Sequence, residues 1–327
     1  MASRAKIRVG ILGAPRVAPR ALIEPARRRT DVEVACIAAR DPSRARSFAT
    51  GHGIAAVAES YGDLIRRDDI DLVYVALPVS GHAEWTIRAL EAGKGVLCEK
   101  PFAATAGEAR RMADAATAAG RPLLEAFHYR FHAAVLRALT LVAEGAVGHV
   151  THVEARFDVT VPYSAAEVRW SADQGGGALM DLGCYAMHVL RTVVGAEPAV
   201  TGAFAEFAHG VDARTEAVLA FPGGVTGAIG CSMVAAAYAA PLTVTGDKGV
   251  LRLDDFVLPH RGGRLWLERG GTTEEQPWSG PGTYDAQLAH VVEVLTNRAA
   301  PLTGGEDAVA NITALEHARG MADRQHR

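Results

Sequence analysis

Leu97-Cys98-Glu99-Lys100-Pro101-Phe102 sets two opposite charges and a proline at the end of an apolar run, Gly95-Val96-Leu97-Cys98, that reads as a buried strand. Proline removes a ladder donor and turns the chain there. The polar pair is thus presented at a carboxyl-end strand mouth, where open α/β sheets bind ligands. A strand-end ion pair without chemistry is the alternative. A second group follows Gly175-Gly176-Gly177, on a helix expected from Ala178 to near Gly195. Asp181, Tyr185 and His188 follow i, i+4, i+7 spacing, a polar stripe beside the apolar Leu179, Leu182, Ala186, Val189, Leu190 and Val193. A carboxylate, a phenol and an imidazole in line make an acid/base array. Solvated polar residues on a surface helix are the competing reading. The glycines would let a cofactor or a sheet backbone come close.

Both groups need elements to position them. At 327 residues the chain is long enough for two domains, and 49% hydrophobic with 22% charged residues is ordinary globular composition. A net charge of −3 with scattered Lys and Arg implies no nucleic-acid face and no membrane patch. Cys36, Cys98, Cys184 and Cys231 lie far apart in apolar contexts without metal-ligand spacing, as in a reduced, cytoplasmic protein. Met1 runs through Arg4 and Lys6 directly into a strand, so no secretory signal is expected. Phe221 to Gly246 carries no charge, but Pro222, Gly223, Gly224 and Pro241 interrupt it. It reads as sheet strands with turns, covered on both faces, rather than a membrane span.

Ile7 to Leu12 reads as a strand, followed by Gly13-Ala14-Pro15-Arg16-Val17-Ala18 and a helix to about Arg29. This is a strand, turn and helix of the dinucleotide-binding kind, with the fingerprint degraded to Gly13-x-Pro15-x-x-Ala18. Pro15 forfeits a backbone donor where phosphate meets a helix N-terminus. A strand from Val32 to Ala39 ends at Arg40-Asp41-Pro42-Ser43-Arg44. Asp41 before Pro42 reads as a helix N-cap, which leaves Arg40 and Arg44 to face a phosphate. A solvated helix start is the alternative. The run Asp71 to Pro78 and strands at Val96 to Cys98 and Pro122 to Phe127 alternate with helices, one of them from about Ala106 to Ala119, which argues for a parallel, doubly wound sheet. After about residue 145 the pattern changes to Val150–Val161, Val200–Phe207, Thr215–Phe221, Val225–Met233, Leu242–Thr245, Val250–Leu253 and Arg264–Glu268, a mostly antiparallel sheet. Helices at about Asp285–Asn297 and Glu306–Asp323 close the chain.

Over essentially its full length the sequence resembles the Gfo/Idh/MocA (glucose–fructose oxidoreductase/inositol dehydrogenase) family. The resemblance is carried by the glycine turn at Gly13, Leu77-Pro78…His82, Glu99-Lys100-Pro101, Glu125-Ala126-Phe127…Arg130 and Gly175-Gly176-Gly177…Asp181-x-Gly183-x-Tyr185. It implies an α/β fold, with an N-terminal Rossmann domain at 1–127 and an α+β domain at 128–327 for substrate binding and dimerisation, the last helix lying near the first domain. It also implies NAD(P)-dependent oxidation or reduction of sugars, cyclitols or similar carbonyls, in homodimers or homotetramers. Lys100 then sits near the nicotinamide and the reacting oxygen, and Tyr185 takes the acid/base position, where inositol dehydrogenase relatives place a histidine. Gly13, Ala14, Pro15, Arg16, Val17, Arg40, Arg44, Leu77, Pro78, His82, Glu99, Lys100 and Trp170 are expected around the cofactor. Arg130, Asp181 and His188 join Lys100 and Tyr185 around the substrate. Val79 stands where the family usually carries Asn, and Pro15 replaces a glycine; both would alter cofactor affinity rather than abolish function.

The expected protein is an NADP-preferring oxidoreductase, with NAD possible, in which Lys100 stabilises oxyanion charge and Asp181 orients substrate hydroxyls or Lys100. No metal, nucleic acid or membrane is expected. Two other readings are a non-catalytic regulator that keeps the cofactor pocket, and an NAD-assisted glycosidase.

Overall fold

Short aliphatic runs, each followed by a helix, build the first sheet of this computed structural model, which describes residues 6–326. Met1 and Arg4, on which the expectation of no secretory signal rests, lie outside the described residues. The strands are β1 (Ile7–Leu12), β2 (Val32–Ala38), β3 (Ala56–Val57), β4 (Leu72–Val75), β5 (Gly95–Cys98) and β6 (Leu123–Glu125). They pair in parallel in the order β3-β2-β1-β4-β5-β6. β4, β5 and β6 are buried at every residue, as a parallel sheet covered on both faces requires. Strand order reverses between β1 and β4, so the switch point lies at Gly13 and Ala76, just beyond their carboxyl ends.

The helices after these strands are α1 (Glu24–Arg27), α2 (Pro42–His52), α3 (Tyr61–Ile65), α4 (His82–Glu91) and α5 (Ala106–Ala119). Asp41 does cap α2, accepting from the Ser43 amide at 2.8 Å with Pro42 in the first turn. The helix expected after the Gly13–Ala18 turn, to about Arg29, is instead a π-helical turn, Pro19–Ile23, followed by the single turn of α1. Pro25 is the physical reason: it has no N–H for an i−4 bond, and its ring crowds the preceding carbonyls. The Glu24 amide reaches back five residues to the Pro19 carbonyl.

The second sheet contains β7 (Val150–Thr160), β8 (Ala199–Ala208), β9 (Val211–Ala220), β10 (Thr226–Ser232), β11 (Val234–Ala239), β12 (Leu242–Gly246), β13 (Gly249–Leu253), β14 (Leu265–Arg269) and β15 (Thr272–Glu275). Its order is β15-β14-β13-β12-β7-β10-β9-β8, with β11 on β7, and all pairs except β7–β10 are antiparallel. α6 (Ala133–Ala143) precedes it, and α7 (Cys184–Val194) lies between β7 and β8. β9 starts four residues before the expected Thr215. His209-Gly210, both at positive φ, joins it to β8 by a tight hairpin turn.

The charge-free stretch from Phe221 to Gly246 forms β10, β11 and β12. The outer face of β10 is not left for an apolar cover. Arg156 of β7 lies across Gly230, where a Cβ would come 2.6 Å from its guanidinium. Arg156 pairs with Asp158 and Glu216, and Arg214 with Glu216 and Glu206, an ionic ladder across three strands besides β10. Charges from neighbouring strands cover what β10's own sequence leaves bare.

The last helices are α8 (Thr283–Leu295) and α9 (Gly305–His326). Leu288, Val291, Val292 and Val294 of α8 join the core of the first sheet. The chain divides into two compact units, one built from the residues up to Phe127 with Tyr284–Val309, the other from His128–Thr283 with the residues from Ala310 onward. All four cysteines are buried, and none of them forms a disulfide. No helix among the described residues is long and apolar enough to cross a membrane.

Candidate active site

In the first unit, the turn after β1 is built by Gly13 at φ +99°, whose amide donates to the Ala38 carbonyl at 2.8 Å. A Cβ at Gly13 would lie 2.6 Å from the Ala76 carbonyl oxygen, so only glycine fits this cradle. Ala14, Pro15 and Val17 are half-buried and Arg16 is exposed. Arg40 is exposed just beyond β2, with the Tyr61 hydroxyl bonded to its backbone. Arg44 is committed differently from expectation. Its guanidinium donates to the Ala14 carbonyl at 2.9 Å, bracing the glycine turn from α2. The cradle and the exposed arginine, beside an Asp41 carboxylate engaged through Oδ1 in capping α2, fit a dinucleotide with a phosphorylated ribose.

Lys100 follows β5, half-buried, and the Lys100–Pro101 peptide bond is cis. The Tyr74 hydroxyl donates to the Glu99 carboxylate, and the Lys100 amide donates to the other oxygen of that carboxylate at 3.3 Å. Burial pushes the Glu99 carboxyl up, while Tyr74 and the Lys100 charge hold it down. Tyr284, at the start of α8, bonds Arg20 and lies within electrostatic reach of Glu99 and Lys100. Burial and the Glu99 charge raise its phenol above the usual range. Tyr74, Arg20 and Tyr284 were not among the expected site residues. Tyr74 is indistinguishable from core in an apolar strand, and nothing in sequence spacing links Tyr284 to Lys100.

His82 is buried and does not offer a nitrogen to a ligand. Its ring nitrogens face the Leu77 carbonyl at 2.9 Å and the Pro101 carbonyl at 3.0 Å, which ties the turns after β4 and β5 together. Burial lowers its pKa, and the Lys100 charge adds to that. Pro78 is exposed and Leu77 half-buried. Glu125 accepts from the Phe102 amide at 2.9 Å, so the Glu125-Ala126-Phe127 motif buttresses the same turn.

In the second unit the polar stripe does not run as spaced. Asp181 lies in a π-helical turn, Leu179–Gly183, that precedes α7 and rotates it away from the 3.6-residue register. Asp181 is half-buried within electrostatic reach of Arg169, whose guanidinium makes two 2.9 Å bonds to Glu167. Tyr185 and His188 are instead buried, 4% and 1% exposed. The Tyr185 hydroxyl lies 3.2 Å from His128 Nε2, and Tyr129 pairs with His188 Nδ1. Phe157 meets Tyr185 edge-on at 5.3 Å. Gly183 lets this helix press onto β10, since a Cβ there would lie 3.1 Å from Cys231 Sγ. His128, Tyr129 and Phe157 were missed, because a layer formed by three separate elements has no local spacing.

Arg130 is half-buried, and its Nη1 is buried with no hydrogen-bond partner among the described residues, an orphaned donor suited to a ligand. Trp170 is spent structurally, 6% exposed with Nε1 donating to the Val161 carbonyl at 3.1 Å. His132 is fully buried, and burial with the neighbouring His260 lowers its pKa to about 4.

Comparison with known proteins agrees with this architecture. Residues 7–127 match the model of the oxidoreductase family with an NAD-binding Rossmann fold, and residues 135–252 match the GFO/IDH/MocA C-terminal domain. The chain is 38% identical over 275 residues to a dTDP-3,4-didehydro-2,6-dideoxy-alpha-D-glucose 3-reductase of Streptomyces violaceoruber, covering 83% of this chain and 80% of the relative. It is 38% identical over 218 residues to a D-xylose 1-dehydrogenase (NADP(+)) of Haloferax volcanii, covering 66% of each chain. Among solved structures, a 3-ketoreductase of Actinomadura kijaniata in complex with NADP and TDP-benzene superposes with a TM-score of 0.88 at 28% identity, covering 97% of this chain and 98% of the other. This chain belongs to the Gfo/Idh/MocA family of oxidoreductases.

Proposed function

We propose that this oxidoreductase uses NADP to interconvert a carbonyl and an alcohol on a sugar-like, cyclitol or related cyclic substrate, with Tyr185 as acid/base and Lys100 as its electrostatic partner. The observation that carries the reading is the buried Tyr185 phenol, held at a fixed hydrogen bond to His128 in a chain whose relatives reduce or oxidise sugars. The cofactor supplies or accepts the hydride at its nicotinamide. Gly13 lets backbone approach the pyrophosphate, and Arg40 meets the ribose phosphate. The Lys100 ammonium stabilises negative charge on the substrate oxygen and favours ionised Tyr185. Tyr185 gives its phenolic proton to that oxygen during reduction and takes it back during oxidation. His128 keeps the phenol aimed. Asp181 and Arg130 bind substrate hydroxyls.

A cofactor-coupled absorbance screen over aldoses, inositols, keto-sugars and dicarbonyls tests the proposal. Turnover of NADPH or NADP with at least one class is the expected result. Silence over the whole panel would favour the regulator. Aglycone release from glycosides without net absorbance change would favour the glycosidase.

Assembly is a second proposal. Val218 and Val234 stay 55% and 53% exposed on one face of the second sheet, an apolar surface that a second copy would cover in a two-fold dimer. Light scattering at low micromolar concentration should give at least twice the 34.4 kDa chain mass; a clean monomer ends the idea.

A further inference from the structure

Asp212 belongs to none of the motifs above, yet it meets the helix that carries Tyr185. From β9 its Oδ2 accepts the Leu179 amide at 2.7 Å, at the first residue of the π-helical turn, and the Thr215 hydroxyl at 2.8 Å. Oδ1 fills the space over Gly177, which has φ +113° and where a Cβ would sit 2.1 Å away. At Gly176 a Cβ would lie 2.5 Å from the Arg169 carbonyl. These two glycines therefore make room for the protein's own carboxylate and backbone, rather than for a cofactor. Burial pushes the Asp212 carboxyl up, and the Leu179 amide, Thr215 and the Arg319 charge pull it back.

Resting on the reading of Tyr185 as acid/base, we propose that Asp212 is a positioning residue: it pins the first amide of the turn at Leu179–Gly183, and so sets from the sheet the rotation at which Asp181 and Tyr185 are presented. A helix that enters through a π turn has a wider, less regular hydrogen-bond ladder than an α-helix. An external acceptor for its first N–H fixes its start. The fold leaves room for failure without collapse. A cavity of about 220 Å³, lined by Asp212, Thr215, Leu179, Phe207 and Arg319 among others, lies beside the carboxylate. Water entering there can satisfy the Leu179 amide when the carboxylate is removed, but it cannot hold the turn in one place.

Asp212→Ala and Asp212→Asn are compared with Tyr185→Phe by turnover and by amide hydrogen exchange, using NADP with D-xylose or the panel sugar that turns over fastest. In Asp212→Ala, amides of Leu179–Gly183 should exchange about tenfold faster, while those of Ala186–Val193 stay protected. Turnover should fall about tenfold or more with KM within about twofold. Asp212→Asn keeps an oxygen over the Leu179 amide and should recover much of both, which also covers the case in which the alanine variant fails to fold. Unchanged exchange in the turn, or unchanged turnover in Asp212→Ala beside an impaired Tyr185→Phe, overturns the positioning role alone. Wild-type turnover in Tyr185→Phe would instead remove the acid/base reading on which it rests. Uniformly faster exchange across the second unit, with KM and turnover shifting together, would mark Asp212 as merely structural.

Discussion

Lys100→Ala and Tyr185→Phe are each expected to lower turnover by about a hundred- to ten-thousand-fold, with NADP affinity little changed. Phenylalanine keeps the ring that packs against Phe157 and loses only the hydroxyl that faces His128, so the loss would report proton transfer rather than packing. Alanine at position 100 removes the ammonium that stabilises oxyanion charge and leaves the Tyr74–Glu99 pair in place. The cradle at Gly13 and the arginine at position 40 are untouched by either change, which is why binding of the cofactor should survive. The double variant should be scarcely slower than the worse single one, because the two groups serve one proton-transfer event. Steady-state rates with titrations of cofactor fluorescence check both halves. Near-wild-type rates in Tyr185→Phe would move the proton donor to another group. His188 and His132 would be the next candidates; both rings are buried, with Nδ1 taken by Tyr129 in the one and by the Ala134 amide in the other.

Elements whose signals are local could be read from the chain alone. α5 runs over the expected Ala106 to Ala119, because Thr105 accepts the Glu108 amide at its start and Gly120 takes a left-handed conformation at its end. Those are side-chain and backbone preferences of a few adjacent residues. The same holds for Asp41 before Pro42, and for the apolar runs of β4 and β5. The doubly wound sheet followed from their alternation with helices.

The features that escaped depend on register or on distant partners. β15 is exposed at all four residues, so it has no apolar alternation to betray it. β9 begins with Val211-Asp212-Ala213-Arg214, where an alanine stands for the inward residue, and its hairpin turn is His-Gly rather than a stronger turn pair. The stripe of Asp181, Tyr185 and His188 assumed 3.6 residues per turn, and a π turn at its head breaks that assumption. Lys100 was readable as a strand-end charge. Tyr74 and Tyr284, which flank it, were not, one hidden in core and the other arriving from α8. The glycine triplet was legible as a need for space, but the sequence could not say that a carboxylate from β9 occupies it.

Arg40→Ala is expected to weaken NADP by about ten- to a hundredfold while changing NAD by about twofold or less. The selectivity follows from what surrounds the end of β2. Ala39 is buried and carries no carboxylate for the ribose hydroxyls, and the Asp41 carboxylate already accepts the Ser43 amide and hydroxyl at 2.8 and 2.7 Å. Asp41 Oδ1 is committed to the cap of α2, so the carboxylate at the end of β2 serves the helix start rather than the ribose hydroxyls. Arg40 is exposed and Tyr61 is bonded to its backbone, so its guanidinium can form charge-assisted bonds that NAD has no group to accept. Arg44→Ala offers the contrast. That side chain braces the Ala14 carbonyl, so its loss should loosen the glycine turn and weaken both cofactors together. Titrations of the parent and the two variants with NADPH and NADH separate these outcomes. Equal affinity of the parent for both cofactors, or a parallel loss of both in Arg40→Ala, would refute the assignment of Arg40 to the ribose phosphate.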